Sequence, residues 1–248
     1  MFLINHKKYN EIFSKKGFFV LKKVVKKNFV KKILKEIYEA KNTDRYFDSK
    51  QNLRRIEKLY NKGENLEALN SKILSLLSKI FNENFVIFKD KFNAKPPGGD
   101  GFFAHFDGVF KFVNRDNKKK NGWYEYSDFF INALVALDEC NKKNGSIELS
   151  ESHKGNFKDL LKKTKNDGTP ALNNRILKKT KFNLVNLKVG DMLFFSNTCP
   201  HQSKKNETNK NRRILYYTYT KSKHKSQYFQ YYRDKKTSKN KLKALEEK

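Results

Sequence analysis

The feature that most constrains the fold is a pair of metal-binding residue types, His105 and Asp107, separated by one residue. In an extended strand, residues i and i+2 project from the same face. The imidazole and the carboxylate would therefore lie side by side, while Phe106 packs on the opposite face. Two ligands make an incomplete metal site, so a third is expected from a distant segment. The candidate is His201, within residues 197–203, and the fold must bring the two segments together.

Two histidines and one carboxylate on one triangular face leave open coordination positions, which is typical of non-haem Fe(II) oxygenases. Lone His-x-Asp pairs are common, so the prediction depends on His201. Arg212 follows His201 closely, and a hairpin between the strands next to these residues would bring its guanidinium into the same cavity. The planar fork of arginine binds carboxylates through two parallel hydrogen bonds. Iron ligands beside such an arginine predict a 2-oxoglutarate site.

Hydrophobic periodicity predicts helices in the first third of the chain and short strands in the rest. Apolar residues recur at helical spacing over residues 28–40 and 66–81, and a shorter helix is expected over 6–14. Aromatic and β-branched runs predict strands at residues 17–21, 85–88, 101–107, 129–137, 146–149, 192–195 and 213–219. Residues 42–62 are polar and are predicted to be irregular. Helices followed by short strands indicate an α+β domain with an antiparallel sandwich or barrel.

The length of 248 residues suits one large domain over residues 1–248, with a charged, flexible tail from about residue 234. The apolar part of the N-terminus is too short for a signal peptide. No apolar run approaches the ~20 residues that cross a bilayer. Cys140 and Cys199 lie far apart and do not suggest a disulfide framework. These features predict a cytoplasmic protein without a membrane span and leave its oligomeric state unknown.

The formal net charge of +29 comes from 55 lysine and arginine residues against 26 aspartate and glutamate residues. A nucleic-acid-binding protein tends to concentrate such charge on one face or helix. Here the lysines are spread along the chain, without a DNA- or RNA-recognition signature. A solvated basic surface is therefore the first interpretation. Because its field would attract anions, a nucleic-acid-directed oxygenase or basic nucleic-acid-binding protein is kept as an alternative.

Several motifs together resemble the phytanoyl-CoA dioxygenase family of Fe(II)- and 2-oxoglutarate-dependent oxygenases over roughly residues 10–235. The motifs are NAKP at residues 93–96, HFD at 105–107, NGSIEL at 144–149, GDMLFF at 190–195, PHQS at 200–203, Asn206, and the arginine pair at 212–213. The resemblance implies a double-stranded β-helix (jelly-roll) core with the N-terminal helices packed on one sheet. It also implies Fe(II), 2-oxoglutarate as cosubstrate and O2, with His105, Asp107 and His201 as the iron ligands.

The same resemblance implies how 2-oxoglutarate is held. Arg212 would pair with its C5 carboxylate, Ser203 would support that contact through its hydroxyl, and Asn93 matches an asparagine that contacts the cosubstrate in some members. Related halogenases lack the iron-binding carboxylate, so Asp107 implies a hydroxylase. A catalytically silent jelly-roll binding module is a second alternative, against which stands the presence of all three ligands and the arginine.

Within the family, residues 88–99 and 55–57 look similar to a subgroup that hydroxylates small polar metabolites, including aminoalkylphosphonates. The resemblance implies hydroxylation of a small zwitterionic or anionic substrate, with release of succinate and CO2. We expect the loop of residues 109–127 to select this substrate. It combines Lys111, Arg115 and lysines 118–120 with Trp123, Tyr124 and Tyr126. The cations would attract a phosphonate or carboxylate, and the aromatic faces would hold an ammonium group by cation–π attraction.

Overall fold

The structure of the chain, a computed structural model, describes residues 5–114 and 117–237. Its helices are α1 (His6–Lys16), α2 (Lys27–Glu39), α3 (Glu64–Phe81), α4 (Phe157–Leu161), α5 (Asn174–Lys179) and α6 (Tyr228–Thr237). Its strands are β1 (Phe18–Leu21), β2 (Asp44–Phe47), β3 (Leu53–Glu57), β4 (Phe85–Lys95), β5 (Phe102–His105), β6 (Phe112–Val113), β7 (Lys119–Lys120), β8 (Ile131–Ala136), β9 (Ile147–Leu149), β10 (Asn183–Leu184), β11 (Met192–Ser196), β12 (His201–Ser203) and β13 (Arg212–Lys221).

Most of the described strands form two antiparallel sheets. The larger sheet has the strand order β1-β11-β8-β13-β4-β3-β2, and the smaller sheet has the order β10-β9-β12-β5. Buried residues of both sheets share one hydrophobic cluster, as Leu134 of β8 does with Leu149 of β9. The sheets therefore pack face to face. With the N-terminal helices packed on the outer face of the larger sheet, this is the predicted α+β jelly roll.

Alternation along the central strands divides the core into two layers. On β11, Met192 and Phe194 belong to the cluster that packs under the helices, whereas Leu193 and Phe195 belong to the cluster between the sheets. Successive side chains of a strand point to opposite faces, so a continuous apolar run is buried on both faces. The N-terminal helices contribute one apolar stripe each to the outer layer, with Val30, Ile33 and Ile37 from α2 and Leu69, Ile73 and Leu77 from α3.

Two strands lie where irregular structure was predicted. Residues 42–62 contain β2 and β3, which form one edge of the larger sheet. An edge strand is only partly buried, and in β2 half-buried residues alternate with exposed ones. A search for apolar runs in the sequence therefore does not detect this strand. Strand β4 is also longer than the predicted strand over residues 85–88. It continues to Lys95 through polar residues whose side chains face the cavities described below.

The predicted hairpin between His201 and Arg212 is wrong. Strand β12 begins at His201 and belongs to the smaller sheet, whereas β13 begins at Arg212 and belongs to the larger sheet. Residues 204–211 therefore cross from one sheet to the other. The face-to-face packing of the sheets, and not a turn within one of them, brings the two residues to the same cavity.

The C-terminal helix α6 continues past the predicted start of the tail, so residues 234–237 are helical. Residues 238–248, the rest of the predicted tail, lie outside the described residues, and so does Arg115. The loop of residues 109–127 contains the β6–β7 hairpin and a 3-10 helix over Gly122–Glu125. In the parts of the chain that the structure describes, no helix has the length and apolarity needed to span a membrane.

Candidate metal centre and adjoining chambers

Strand pairing in the smaller sheet brings the two predicted histidine ligands together. His105 ends β5 and His201 begins β12, and the antiparallel register places them opposite each other. The centroids of their imidazole rings are 4.1 Å apart. Asp107 lies in a bend just beyond β5, where its backbone N–H donates to the carbonyl oxygen of Asn197. The fold thus joins three side chains from two distant segments.

The three side chains converge through their potential ligand atoms. Nε2 of His105 lies 3.8 Å from Oδ1 of Asp107, and Nε2 of His201 lies 3.8 Å from Oδ2 of Asp107. All the ligand atoms of this triad lie within 4.8 Å of one another. Across residues 5–114 and 117–237, no other group of three or more His, Cys, Asp or Glu side chains converges in this way. The arrangement can hold a metal ion.

Each imidazole is oriented through its other nitrogen. Nδ1 of His105 lies 2.9 Å from the carbonyl oxygen of Phe103, and Nδ1 of His201 lies 3.1 Å from that of Cys199. Because a carbonyl oxygen only accepts, Nδ1 carries the proton and the lone pair of Nε2 points into the triad. Backbone carbonyls commonly orient metal-binding histidines in this way.

The protonation states of the triad also suit a cation. Burial, together with the neighbouring His201, lowers the pKa of His105 to about 3. Burial also lowers the pKa of His201. For Asp107, burial alone would raise the pKa, but His201 and Lys91 outweigh it and the pKa falls to about 2. At neutral pH the triad therefore has two neutral imidazoles and one carboxylate, the forms that bind metals.

A buried hydrogen-bond chain orients the Asp107 carboxylate. The side-chain amide of Asn132, on β8, donates to Oδ2 of Asp107 at 2.8 Å. The hydroxyl of Thr218, on the neighbouring strand β13, donates to Oδ1 of Asn132 at 2.7 Å. Asn132 and Thr218 are directly paired across the two strands, and both are buried. Sequence reasoning missed Asn132, because only the strand register shows that it reaches Asp107.

A cavity of about 100 Å³, which we call the arginine chamber, adjoins the triad at His105 and His201. Its polar lining includes Arg54, Arg55, Lys91, Asn93, Lys95, Gln202, Ser203 and Arg212. The buried Nε of Arg212 and the buried Oδ1 of Asn93 have no hydrogen-bond partner among the described residues. A buried guanidinium donor without a partner suits a carboxylate ligand. The structure thus brings the predicted residues Arg212, Ser203 and Asn93 to one cavity beside the triad.

Lys95 is a second basic residue of the arginine chamber, and the sequence analysis assigned it no role. It lies opposite Arg212 in the β4–β13 register. Its Nζ donates to Oγ of Ser203 at 2.9 Å and to the carbonyl oxygens of Gly145 and Lys204. Burial, reinforced by Arg212, lowers the pKa of Lys95 to about 6. An anion bound in this chamber would offset both effects.

A second cavity, of about 170 Å³, adjoins the triad at His105 and Asp107, and we call it the aromatic chamber. Its lining includes Tyr46, Arg55, Lys89, Lys91, Phe106, Phe110, Phe112, Trp123, Tyr126, Tyr231 and Tyr232. Among the aromatic residues singled out in the loop of residues 109–127, Trp123 and Tyr126 line this chamber. Tyr124 instead packs against Phe157, and its hydroxyl accepts a hydrogen bond from Asn197.

Strand β4 runs along both chambers with one polar face. Lys89 lines the aromatic chamber, Lys91 lines both, and Asn93 and Lys95 line the arginine chamber. Sequence reasoning missed the three lysines. The sequence feature that could have identified them is the alternation of polar residues with Phe92 and Ala94, which are buried. Such alternation is typical of a strand that faces the core on one side and a cavity on the other.

The jelly roll and the triad define a class of protein: two histidines and one carboxylate with open positions opposite them are the metal site of non-haem Fe(II) oxygenases. The profile of the phytanoyl-CoA dioxygenase family matches residues 13–214. The chain belongs to this family. Helix α6, which contributes Tyr231 and Tyr232 to the aromatic chamber, lies beyond the matched residues.

Two curated relatives are similar to the chain over most of its length. It is 26% identical over 177 residues to a 2-aminoethylphosphonate dioxygenase from uncultured bacterium HF130_AEPn_1, covering 71% of this chain and 62% of the relative. It is 30% identical over 168 residues to a methylphosphonate hydroxylase from Gimesia maris, covering 67% of this chain and 57% of the relative. The chain thus spans about three fifths of the length of these relatives.

Solved structures share the fold at low sequence identity. EctD from S. alaskensis, solved with 2-oxoglutarate and 5-hydroxyectoine, superposes with a TM-score of 0.67 at 15% identity, covering 88% of this chain and 76% of EctD. The epimerase SnoN, solved with Fe3+, alpha ketoglutarate and nogalamycin RO, gives a TM-score of 0.65 at 14% identity, covering 88% of this chain and 84% of SnoN. These similarities support the jelly-roll assignment.

Proposed function

We propose that the chain is an Fe(II)- and 2-oxoglutarate-dependent dioxygenase that hydroxylates a small polar metabolite. The observation that carries the proposal is the convergence of His105, Asp107 and His201 beside the buried, unpartnered Nε of Arg212. A metal triad alone would suit many reactions. A triad next to a partly closed chamber with a carboxylate-binding cation suits a reaction that needs 2-oxoglutarate at the metal.

The residues of the site fit both Fe(II) and 2-oxoglutarate. His105, Asp107 and His201 would hold Fe(II), because their donor set and protonation states are those that this ion requires. Arg212 would bind the distal carboxylate of 2-oxoglutarate through a charge-assisted contact. Ser203 and Asn93 would complete the polar wall, with Lys95 linked to the Ser203 hydroxyl.

When bound, Fe(II) with O2 and 2-oxoglutarate would supply the oxidising power for hydroxylation, with succinate and CO2 as co-products. The task of this chain is to bind, orient and protect the reactants. The Phe103 and Cys199 carbonyls keep both imidazole lone pairs on the metal side. The aromatic chamber adjoins the triad and would hold the substrate, with its apolar walls excluding water.

The substrate is proposed from the relatives together with the charge of the aromatic chamber. Both relatives are named for phosphonates. Arg55, Lys89 and Lys91 line the chamber, which suits an anionic group. Small anionic and zwitterionic metabolites, with aminoalkylphosphonates and plain alkylphosphonates among them, are therefore the compounds to test first.

The proposal is tested by anaerobic reconstitution with Fe(II) and 2-oxoglutarate, followed by an O2-dependent screen for succinate release. We expect a visible charge-transfer band in the anaerobic complex, and succinate release stimulated by at least one compound of the screen. His105→Ala, Asp107→Ala and His201→Ala should each lose the band while remaining folded, because their side chains line an open site. His224→Ala is the matched control, since this imidazole contacts the exposed Asp128.

Two results would contradict the proposal in different ways. A folded protein without affinity for Fe(II) or 2-oxoglutarate would be a jelly-roll binding module. A triad variant that keeps wild-type iron affinity and turnover would show that the altered residue is not a ligand.

A further inference from the structure

Two lysines of β4, Lys89 and Lys91, project into the aromatic chamber from one strand face. Lys89 is 6% exposed, and its Nζ donates to the Tyr231 hydroxyl at 3.1 Å. Lys91 is half-buried and lines both chambers, and its Nζ lies 4.8 Å from the centroid of the Tyr216 ring, which lines the arginine chamber. Within residues 5–114 and 117–237, neither ammonium is ion-paired with a carboxylate. Asp107 lines the same chamber, but a bound metal would share its charge.

This pair of charges is costly in the free protein. A buried ammonium group is destabilising unless a counter-charge or hydrogen bonds replace the lost water. The fold gives Lys89 one hydroxyl and ring faces, and gives Lys91 one ring face. The oxyanion of a ligand would supply the missing charge to both. Lysine binds such groups as a point charge with three donors.

Several aromatic rings of the chamber already have a cation of the protein itself over one face. Nζ of Lys89 lies 5.0 Å from the centroid of the Trp123 ring and 5.1 Å from that of Tyr231. Nζ of Lys235 lies 5.3 Å from the centroid of the Tyr46 ring. Within the predicted cation–π site for a substrate ammonium, the Trp123 ring is therefore already in contact with a cation of the chain. A ligand ammonium would approach these side chains as a like charge.

The chamber also offers a ligand ammonium no unpaired acid. Its lining contains two described carboxylates, Asp44 and Asp107. Asp44 forms an ion pair with Lys58 at 2.7 Å, and Asp107 belongs to the metal triad. Neither carboxylate is thus free to bind the ammonium group of a zwitterion.

The remaining wall of the chamber is apolar and tightly fixed. Phe110 and Phe112 line it next to Trp123. A Cβ on Gly108 would lie 2.4 Å from the Trp123 ring, and Gly108 has a positive φ of 75°, so the ring packs directly on the glycine backbone. A rigid aromatic wall favours an apolar ligand surface.

We propose that the aromatic chamber binds a small organic oxyanion with an apolar body and without an ammonium group, the oxyanion lying between Lys89 and Lys91. This inference rests on the proposed function, for which it specifies the substrate class. It favours plain alkylphosphonates or carboxylates over their amino derivatives. Phosphonates and carboxylates both present an oxyanion that two lysines could bind. The test below distinguishes between these two classes of ligand.

The test uses Trp123, the single tryptophan of the chain, as the reporter of chamber occupancy. The full-length protein is titrated anaerobically, in the presence of Fe(II) and without cosubstrate, with propylphosphonate and with 3-aminopropylphosphonate, and then with butyrate and 4-aminobutyrate. We expect the plain compound of at least one pair to shift the tryptophan emission and bind about tenfold or more tightly than its amino partner, because like charges in a desolvated site repel. The pair that responds identifies the oxyanion.

Variants locate the binding site. Lys89→Met and Lys91→Met should each weaken binding of the responding compound by about tenfold or more, since each removes a charge-assisted contact. Lys89→Arg and Lys91→Arg should retain binding. Lys31→Met, on the exposed face of α2, is the control for the change in net charge. Arg212→Met should keep the fluorescence response, because that side chain lines the other chamber.

The inference is overturned if plain and amino compounds bind equally, or if binding survives both methionine variants. The first comparison uses the unaltered protein, so it decides the matter even if a variant fails to fold. Failure of the proposed function would look different. The chamber would bind alkylphosphonate or butyrate as expected, but no compound would stimulate succinate release by the Fe(II)-loaded protein.

Discussion

Arg212 and Arg213 leave β13 on opposite faces of the larger sheet. Arg212 is buried and lines the arginine chamber opposite Lys95. Arg213 is half-exposed, and its Nε and Nη2 donate to the two carboxylate oxygens of Asp138 at 2.7 and 2.8 Å. These hydrogen bonds raise the pKa of Arg213. Arg212 is therefore the member of the pair positioned to bind a ligand carboxylate.

Arg212→Met should weaken 2-oxoglutarate binding far more than Arg213→Met. Deleting one partner of a buried charged contact costs roughly 2–5 kcal/mol, or about 30-fold to several-thousand-fold in affinity. Arg213→Met should leave 2-oxoglutarate affinity near wild type and reduce stability by about 1 kcal/mol, because it breaks a half-exposed ion pair. Calorimetric titration with 2-oxoglutarate measures the first effect, and urea unfolding measures the second. The reverse pattern would mean that the register of β13 is shifted by one residue.

Asn132 is the residue through which the fold orients the metal-binding carboxylate. Asn132→Ala removes the donor to Asp107 Oδ2, and we expect Fe(II) affinity to fall by about 10- to 100-fold, as is usual when a group that orients a metal ligand is lost. Anaerobic Fe(II) titration gives the affinity, and circular dichroism checks the fold. Thr218→Val, which removes only the next hydrogen bond in the chain, should have a smaller effect. Unchanged iron affinity in Asn132→Ala would contradict this role.

At the scale of elements, a buried carboxylate joins the C-terminal helix to the sheet. Asp90, on the helix-facing side of β4, accepts hydrogen bonds from the backbone N–H groups of Leu59 and Tyr60 and from the Tyr228 hydroxyl of α6. The Tyr232 hydroxyl, also from α6, donates to the Asp90 carbonyl oxygen at 2.7 Å. Burial raises the pKa of Asp90 to about 6 in spite of these donors. Asp90 thus joins α6, and with it one wall of the aromatic chamber, to β4 and to residues 59–60.

Asp90→Ala should lower the free energy of unfolding by about 3 kcal/mol or more, because it leaves several buried donors without an acceptor. Tyr228→Phe, which removes one hydrogen bond to the same carboxylate, is the matched control and should cost about 1 kcal/mol. Urea denaturation gives both values. Equal effects of the two substitutions would show that Asp90 is not the anchor of α6.

At the scale of the whole molecule, the dominant property is the charge of +29. Several surface carboxylates are already paired, as in the Lys221–Glu83 contact at 2.6 Å, and with 55 lysine and arginine residues against 26 aspartate and glutamate residues a large positive excess remains. Such self-repulsion destabilises the compact state and is screened by salt. The same field would raise the local concentration of small anions around both chambers.

The unfolding temperature should therefore rise with ionic strength. Between 20 mM and 500 mM NaCl we expect an increase of roughly 2–4 °C, which corresponds to about 1 kcal/mol for a chain of this size. Differential scanning calorimetry measures the shift, and KCl in place of NaCl controls for specific ion binding. An unfolding temperature that falls with salt would mean that attractive pairs outweigh repulsion.

The sequence by itself determined the features that depend on local order. The spacing of His105 and Asp107 makes them neighbours in extended chain, and the apolar stripes of α2 and α3 follow from helical periodicity. The convergence of His201 and Arg212 with this pair was also predictable, because two histidines and a carboxylate are the donor set of a non-haem Fe(II) site and an arginine suits a carboxylate ligand beside it. The way in which Arg212 reaches the cavity was not predictable from the sequence. Arg212 lies in the opposite sheet and is not connected to His201 by a hairpin.

Only the tertiary structure decided what depends on register between distant strands. In the sequence, nothing distinguishes Lys89, Lys91 and Lys95 from the many other lysines. In the structure, these three side chains line the two cavities because of how β4 pairs with its neighbours. The sequence suggested that the Trp123 ring binds a substrate ammonium, whereas in the structure Lys89 of β4 lies over that ring. Periodicity shows which face a side chain shares with its neighbours in the chain. What lies opposite that face is set by sheet order and packing, which no local pattern contains.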